Sequence, residues 1–538
     1  MDCQVLVVGG GMAGLTAAAY LSQAGLDVLL CEKETKVGGL VNSFDYNGFT
    51  FDGGIRAMEN SGIVLPMLRQ LGIDIPFVSS AVSIGIEKDV TNLQSKDSLK
   101  DYLNLLSRYF PDNSREIEQF GAEIKKIMQY MDILYGIDNP LFLDLKSDPG
   151  YLVKTILPWL IKYILTVRKI GRLNEPVDDY LKKITDNQAL IDMIAQHFFK
   201  NTPTFFALSY FSLYLDYQYP RGGTGVLAEK MRQFIREHNG RIRCETEIVQ
   251  IDPSHKQVRD AHGVVYQYQK LIWCADLKRL YQAIDPELLL NPKTAEAVRN
   301  RKIELSDKIG GDSILTLYLT LDMDPQYFKK IANAHFFYTP VRAGLNSLAS
   351  DNLLKPAVQD GKGLYTDDLN VIKDWLARYF QYTTYEISCP ALRDSSLAPA
   401  GKTGLIISTL FDYPLVRHLA GIDWYDAFKT FSAQAIISVL DASIFPGLKE
   451  HIIDQFVSTP LTLERLTGNS DGAITGWAFT NSSMPAVHSM PKIAKSVLTQ
   501  IPDVYQAGQW TFSPSGLPIS ILTGKLAADQ VIKKLKQS

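Results

Sequence analysis

The chain has 538 residues, of which 46% are hydrophobic and 21% are charged. This length exceeds what one hydrophobic core accommodates, so two or three domains are expected. A formal net charge of −3 excludes a globally basic surface for nucleic acid, and no uncharged apolar run is long enough to predict a membrane-spanning helix.

The cysteines exclude two further classes of protein. They are odd in number and far apart, without the spacing of a zinc site or a disulfide framework. We therefore expect no metal, and a reducing compartment. No secretory leader pattern is present, so the expected location is the cytoplasm or the cytoplasmic face of a membrane. The five cysteines are Cys3, Cys31, Cys244, Cys274 and Cys389.

The first predicted elements form a strand, a glycine turn, a helix and a second strand. The β-branched run Val5–Val8 predicts the first strand, and the second ends at Glu32. The turn reads GxGxxG, which in this setting is the fingerprint of dinucleotide binding. The Glu32 carboxylate is expected to accept hydrogen bonds from ribose hydroxyls and to repel a 2′-phosphate. The residues expected at this part of the cofactor are Gly9, Gly11, Met12, Ala13, Gly14, Glu32 and Lys33.

Two further glycine pairs favour FAD over NAD. A flavin dinucleotide folds its long ribityl–isoalloxazine arm back over the domain, and glycine permits the additional close approaches to the backbone. A simple NAD domain has no such need. A glycine turn without any ligand is the structural alternative. The residues expected along this arm are Gly38, Gly39, Leu40, Gly53, Gly54, Ile55 and Arg56.

With Glu32 and Gly38–Gly39, the turn resembles the amine-oxidase superfamily of FAD proteins. The resemblance implies an α/β fold, with a Rossmann-like FAD domain of the glutathione-reductase type. It also implies that this domain is interleaved with an α+β substrate domain built on a mixed sheet and with a helical subdomain. Many members carry arginine after the second glycine pair, whereas this chain has Leu40. That departure counts against a true amine oxidase and leaves the broader group intact.

A second glycine-rich region opens a helix in YPRGGTGVLAEKMRQFI, Tyr219–Ile235, and predicted strands follow it. This region resembles the second FAD-contacting segment of phytoene desaturases, carotenoid isomerases and retinol saturases. The resemblance implies that the backbone near Ile248 lies along the adenine. It also implies that the turn at Cys274 and Ala275 passes close to the dinucleotide.

A third region completes the predicted cofactor site. A short strand ends at Gly508, and a helix opens at Gly516–Leu517–Pro518, where proline suits the first helical turn. In the resembled family the N-terminus of this helix faces the pyrimidine edge of the flavin and stabilises negative charge on the reduced ring. The residues expected here are Gly508, Gln509, Gly516, Leu517, Pro518 and Ile519.

Two stretches in the middle of the chain bear on the substrate. Tyr151–Lys169 predicts an amphipathic helix with a basic face, which is typical of peripheral membrane contact. The alternative is a helix packed on its own domain with its lysines in water. The aromatic stretch Phe198–Tyr217 predicts either core or the wall of an apolar channel.

Strands are predicted again beyond residue 311, where PxxxDxxLAP, beginning at Pro390, resembles the isomerase and saturase branch. The predicted domain organisation interleaves these parts. It comprises FAD-binding segments 1–75, 215–310 and 490–538, a helical substrate or membrane-contact subdomain 76–214, and a substrate-binding sheet 311–489.

No nucleophile–base set or carboxylate pair is evident, as expected where a cofactor carries out the difficult chemistry. The resemblance implies hydride transfer at flavin N5 and a long apolar isoprenoid or carotenoid-like substrate. Desaturation, saturation and isomerisation stay open, as does the electron acceptor or donor. Arg56 and Glu59 are the candidate catalytic residues, for flavin charge and proton movement respectively. A structural Arg56–Glu59 pair is the alternative, and His335 is a further candidate.

Two other functions remain compatible with these patterns. One is a flavin amine oxidase acting on a small amine, which would require an aromatic cage at the flavin. The other is an FAD-binding protein without turnover.

Overall fold

Two large sheets organise the molecule, and the chain passes repeatedly between them. The computed structural model describes residues 2–143, 149–348, 353–355 and 364–537. The strands are β1 Asp2–Val8, β2 Val28–Cys31, β3 Ser43–Tyr46, β4 Phe49–Asp52, β5 Met58–Glu59, β6 Phe77–Ser79, β7 Val82–Ile86, β8 Asp89–Leu93, β9 Tyr217–Pro220, β10 Arg241–Arg243, β11 Ile248–Asp252, β12 Gln257–Asp260, β13 Val265–Trp273, β14 Ser313–Leu321, β15 His335–Thr339, β16 Leu354–Lys355, β17 Leu364–Tyr365, β18 Tyr385–Ser388, β19 Thr403–Phe411, β20 Ile452–Ser458 and β21 Val504–Gln506.

The helices flank both sheets. They are α1 Met12–Gln23, α2 Val64–Leu71, α3 Ser98–Tyr109, α4 Ser114–Tyr135, α5 Pro149–Tyr151, α6 Leu157–Ile170, α7 Val177–Leu181, α8 Gln188–Ala195, α9 Thr204–Leu215, α10 Gly225–Glu237, α11 Leu277–Gln282, α12 Pro292–Ser306, α13 Pro325–Lys329, α14 Leu369–Tyr382, α15 Tyr413–Gly421, α16 Tyr425–Ser443, α17 Pro460–Thr467 and α18 Leu517–Leu535. A π-helical turn at Leu152–Ile156 joins α5 to α6.

The first sheet has the strand order β10-β2-β1-β13-β12-β11, and β21 pairs with the end of β13. The pairs among β10, β2, β1, β13 and β21 are parallel, as in a Rossmann-like fold. Its strands come from three separate parts of the chain, each within a predicted FAD-binding segment. The fold class is confirmed, whereas the exact domain limits remain predictions.

Glycine determines how closely helices approach this sheet. A Cβ at Gly14 would collide with the carbonyl oxygen of Gly9, and a Cβ at Gly524 in α18 would collide with the carbonyl oxygen of Ala13. Both helices can therefore pack closely only without those side chains. Almost every residue of α1 is buried, as expected for a helix covered on all sides.

The second sheet is mixed, with the order β20-β14-β19-β18-β15-β7-β8, in which the β7–β15 pair is parallel. Successive side chains of β14 point to opposite faces of the sheet. Leu315, Leu317 and Leu319 enter a core with α14 and α16, whereas Thr316 and Tyr318 lie on the opposite face. This second face borders the cavity described below.

The segment 76–214 is mostly helical, as predicted, but begins with β6, β7 and β8. Helices α3, α4 and α7–α9 pack on β7 and β8 in a separate apolar cluster. The helical part is thereby joined directly to the second sheet, and the local sequence pattern did not reveal this pairing.

We expect Gly14→Ala to destabilise the fold by ~1–3 kcal/mol, because the added methyl forces α1 away from the glycine turn. The measurement is the midpoint of thermal unfolding. Gly421→Ala is the control: this glycine ends α15, and no atom lies within 4 Å of the Cβ it would gain. Equal midpoints for the two variants would contradict the packing argument.

Candidate active site

A continuous cavity of 2410 Å³ runs from the ends of the first-sheet strands to the open face of the second sheet. It brings together the predicted cofactor residues except Gly14, which is buried beneath the turn. Their individual roles remain predictions. Those that line the cavity are Gly9, Gly11, Met12, Ala13, Glu32, Lys33, Gly38, Gly39, Leu40, Gly53, Gly54, Ile55, Arg56, Ile248, Cys274, Ala275, Gly508, Gln509, Gly516, Leu517, Pro518 and Ile519.

The glycine turn leaves open space at Gly11 but not at Gly9. Gly9 has a φ of +100°, and its missing Cβ makes room for the Cys274 backbone. At Gly11, by contrast, an added Cβ would meet no atom within 4 Å. Gly11 is also the N-cap of α1, and no side chain caps that helix end. The free space thus lies against N–H groups suited to a phosphate.

Glu32 lies where β2 ends, beside this opening. One oxygen of its carboxylate accepts a hydrogen bond from the Gly10 N–H (2.6 Å) and the other from the Glu34 N–H (2.9 Å). Burial raises the pKa of Glu32, while these backbone donors oppose that rise. Each oxygen retains lone-pair capacity for a hydroxyl donor. The strand-end carboxylate is therefore placed as the dinucleotide fingerprint requires.

The second and third glycine pairs have a packing role within the chain itself. A Cβ at Gly38 would collide with the carbonyl of Val41, and one at Gly54 with the carbonyl of Leu40. A Cβ at Gly53 would collide with the Asn42 side chain. These glycines shape the loop that borders the cavity, so their presence alone does not require a ligand.

The C-terminal region supplies another helix end at the cavity. Gly508 has a φ of +102° and lies against Ala13, and α18 begins at Leu517 without a side-chain cap. The Glu59 carboxylate lies next to Gly516, the N-cap of this helix. Burial, and then the charge of Asp216, raise the pKa of Glu59 to about 7.

Arg56 does not form the ion pair with Glu59 that was the structural alternative. Its guanidinium donates to the carbonyl oxygens of Asp52 (2.8 Å) and Gly54, and to the Ser408 hydroxyl (3.0 Å). Only 3% of Arg56 is exposed. Arg56 therefore ties the Gly53–Gly54 loop to the second sheet and places positive charge beside it.

Beyond these residues the cavity widens into a chamber lined by aromatic rings. The stretch predicted as core or channel wall is both: in α9, Leu208 and Phe211 are buried in the helical core, whereas Phe206 and Tyr210 line the chamber. The inner face of α6 closes another side with Trp159.

Sequence reasoning missed a polar row on the second-sheet wall. Glu386, Ser408, Thr316 and Ser458 lie directly opposite one another on β18, β19, β14 and β20. The Glu386 Oε1 lies 3.0 Å from Nε2 of His335. In the strand sequence YEIS, polar and apolar residues alternate, which places Glu386 on the opposite face from Tyr385 and Ile387. The other polar residues of the row come from strands distant in sequence, so the sequence alone does not bring them together.

The outer face of α6 carries an exposed apolar stripe. It has helical spacing and is flanked by Lys162 and Arg168, both exposed. The stripe comprises Leu157, Leu160, Ile161, Ile164 and Leu165, with exposed fractions from 40% to 65%. Among the described helices, none has the length and apolar character needed to cross a membrane. Nor do the described residues contain a metal-binding group of His, Cys, Asp and Glu.

Comparison with known proteins agrees with this geometry. Residues 7–71 match the model of the NAD(P)-binding Rossmann-like domain. The chain is 22% identical to the 4,4'-diapophytoene desaturase (4,4'-diaponeurosporene-forming) of Staphylococcus aureus strain bovine RF122 / ET3-1, over 99% of both sequences. The corresponding protein of strain MSSA476 is also 22% identical, with the same coverage.

Solved structures of amine oxidases share the fold. A variant of putrescine oxidase has a TM-score of 0.60 at 12% identity and 99% coverage of both chains. Cyclohexylamine oxidase from Brevibacterium oxydans has a TM-score of 0.56 at 10% identity, with complete coverage of both. These structures show the fold alone; the Rossmann-like match and the full-length similarity to desaturases indicate an oxidoreductase with a flavin or related dinucleotide cofactor. Within that class, the chain is similar along nearly its whole length to 4,4'-diapophytoene desaturases.

The raised pKa of Glu59 predicts a pH-dependent stability. The contribution of Glu59 to the free energy of unfolding is fully present below its ordinary pKa of 4.5 and is lost as the pH rises through about 7. Glu59→Gln removes the buried charge. At pH 8 this variant should therefore unfold at a higher temperature than the original protein, with a free energy of unfolding larger by at most about 3 kcal/mol. At pH 4 the two should be alike. Thermal unfolding across this pH range is the measurement.

Asp89→Asn is a control of opposite sign. The Tyr109 hydroxyl, and then Arg108, hold the pKa of Asp89 below its ordinary value against the effect of burial. This variant should lose stability at neutral pH and approach the original protein as the pH falls. A Glu59→Gln profile parallel to that of the original protein would refute the buried-charge assignment.

Proposed function

We propose that the protein is an FAD-dependent oxidoreductase that dehydrogenates a C–C bond of a long apolar isoprenoid. The observation that carries this proposal is the continuity of the dinucleotide cleft with an aromatic chamber. A volume of 2410 Å³ far exceeds an ordinary single-ligand pocket of roughly 300–1,000 Å³. It accommodates a dinucleotide and a second, extended ligand in contact with each other.

The residues around the cleft fit FAD. The pyrophosphate would lie over Gly11 at the N-terminus of α1, and Glu32 would receive the ribose hydroxyls. The N-terminus of α18 would lie at the ring, with Gly516–Ile519. When bound, FAD accepts a hydride at its N5 atom and so supplies the redox chemistry.

The protein's own groups then orient ligands and handle charge. Arg56 is fixed by three acceptors and gives the ring environment positive charge. Glu59, with a pKa of about 7 beside Gly516, can hold or release a proton near neutral pH. The aromatic side chains of the chamber, among them Phe206 and Tyr210, offer an extended hydrocarbon a largely apolar surface.

The desaturases of Staphylococcus aureus support the substrate class, because the similarity extends over nearly the whole of both sequences. The amine oxidases support the fold alone, at 10–12% identity. A small polar amine would also leave most of this chamber unfilled.

The test is a single anaerobic turnover. We expect the purified protein to carry FAD, and an acyclic polyene precursor to bleach its flavin absorbance and yield a product with one additional double bond. Gly11→Val is the matched control: a Cβ at this position meets no protein atom within 4 Å, and the side chain would occupy the expected path of the pyrophosphate. This variant should fold and lack FAD. Bleaching by small amines alone would overturn the proposal in favour of an amine oxidase, and no bleaching would favour a protein without turnover.

We further propose that α6 contacts a membrane on its cytoplasmic face. Its apolar stripe is exposed while its opposite face lines the chamber, so an apolar substrate could pass between bilayer and cavity without crossing water. Basic residues beside the stripe suit anionic lipid headgroups.

Replacing Leu157, Ile161 and Leu165 together with serine should abolish co-sedimentation with anionic vesicles and leave bound FAD unchanged. The physical reason is the loss of the apolar area that enters the bilayer. Leu290→Ser with Ile303→Ser is the control, because these side chains are 75% and 70% exposed elsewhere. Equal sedimentation of both variants would exclude α6 as the contact.

A further inference from the structure

The second-sheet wall of the chamber carries a carboxylate that the proposed function leaves without a role. The side chain of Glu386 is 33% exposed, whereas that of its neighbour His335 is 2% exposed. Glu386 belongs to an inner strand of the sheet and lines the cavity. Its accessible part therefore faces the space that the second ligand would fill.

The surroundings keep this carboxylate charged. Burial opposes ionisation, but the His335 ring and the charges of Arg56 and Arg393 outweigh it and hold the pKa of Glu386 below its ordinary value. Burial lowers the pKa of His335, so the imidazole is neutral near pH 7. The wall thus presents one negative charge to the chamber.

Five ring side chains, the aromatic wall, lie beside Glu386. They form a connected set, with centroid separations of 5.0–5.7 Å between neighbouring rings. Burial raises the pKa of each tyrosine hydroxyl in the set, so these tyrosines stay neutral. The aromatic wall consists of Tyr210, Tyr214, Tyr217, His335 and Phe337.

The nearby arginines are committed to other partners. Arg393 donates to Ser80, Ser388 and the carbonyl of Ala334, and stacks on a tyrosine ring. Arg56 is held by the Gly53–Gly54 loop and Ser408. Among the described residues, neither forms an ion pair with Glu386. The carboxylate is left to face the chamber.

His335 lies behind Glu386 in the wall and holds its carboxylate in place. Its Nε2 is 3.0 Å from Oε1 of Glu386. Its Nδ1 has no partner among the described residues. His335 therefore interacts through Nε2 with the carboxylate that faces the chamber.

We propose that Glu386 and the aromatic wall form a subsite for the positively charged centre of an otherwise apolar ligand. A carboxylate beside the faces of aromatic rings is the arrangement that recognises organic cations. A protonated long-chain amine carries this charge before any reaction. A hydrocarbon substrate acquires it transiently during oxidation.

The inference deepens the proposed function, on which the second case rests. In the proposed dehydrogenation, one substrate C–H bond would break and the hydrogen would leave with its electron pair, for which a bound flavin would supply the acceptor. The carbon left behind would be positively charged until a neighbouring C–H bond gives up its proton to the Glu59 carboxylate and its electrons form the double bond. Glu386 would stabilise this positive charge next to the aromatic wall.

The experiment measures binding to the FAD-loaded, full-length protein. The long-chain probes are N,N-dimethylgeranylgeranylamine, its trimethylammonium counterpart and a branched hydrocarbon of the same length, and benzylamine is the small-amine probe. Each is titrated by calorimetry in one detergent. We expect both cations to bind at least ~10-fold more tightly than the hydrocarbon. Glu386→Gln should remove that preference and leave hydrocarbon binding unchanged. Partitioning into micelles cancels when the two proteins are compared.

Glu87→Gln is the matched control, because Glu87 follows β7 of the same sheet but lies outside the cavity lining. It should keep the full preference. Phe337→Leu tests the aromatic wall with Glu386 intact, and should weaken cation binding several-fold. Its result stands even if Glu386→Gln does not fold.

The outcomes separate this inference from the proposed function. Equal binding of cations and hydrocarbon to the original protein overturns the subsite and leaves the isoprenoid function standing. Glu386-dependent binding of benzylamine, without binding of any long-chain probe, supports the subsite and overturns the isoprenoid function. Binding of none of the probes overturns both.

Discussion

The contact between Gly14 and the carbonyl of Gly9 is the constraint on which the site depends. It allows α1 to start directly above the first sheet, and the equivalent contact of Gly524 with Ala13 brings α18 alongside. Two helix N-termini then open into the same cavity, from opposite ends of the chain. The partial positive charge of each end is available to a ligand because no side chain caps either helix.

The second sheet contributes through the period of a strand. Along β14, leucines alternate with Thr316 and Tyr318, so one face builds a core with α14 and α16 while the other borders the cavity. Cross-strand pairing then extends the polar positions from Glu386 to Ser458. Arg56 donates to Ser408 in that row and connects the Gly53–Gly54 loop with the second sheet.

Much of this arrangement was predictable from local sequence. The glycine turn, the strand end at Glu32 and the opening of α18 each have a signature within a few residues, so the fold class and many residues that line the cavity could be predicted. That these residues bind a cofactor remains a prediction. The parallel pairing of β7 with β15 could not, since it joins remote segments. Glu386 was missed for the same reason: its significance comes from His335 on another strand. The exposed face of α6 was only partly foreseen, because periodicity identifies an amphipathic helix but not which apolar residues its neighbours cover.

The glycines also differ in what holds them in place. Gly14, Gly38, Gly53 and Gly54 are required by atoms of the chain, so a descendant that had lost its cofactor would still need them to fold. Gly11 has no such neighbour, and only a ligand would keep a side chain from arising there. If related proteins lost their redox activity, most glycines of this motif would still be retained because packing requires them. Substitution at Gly11 would be the earliest trace of the loss.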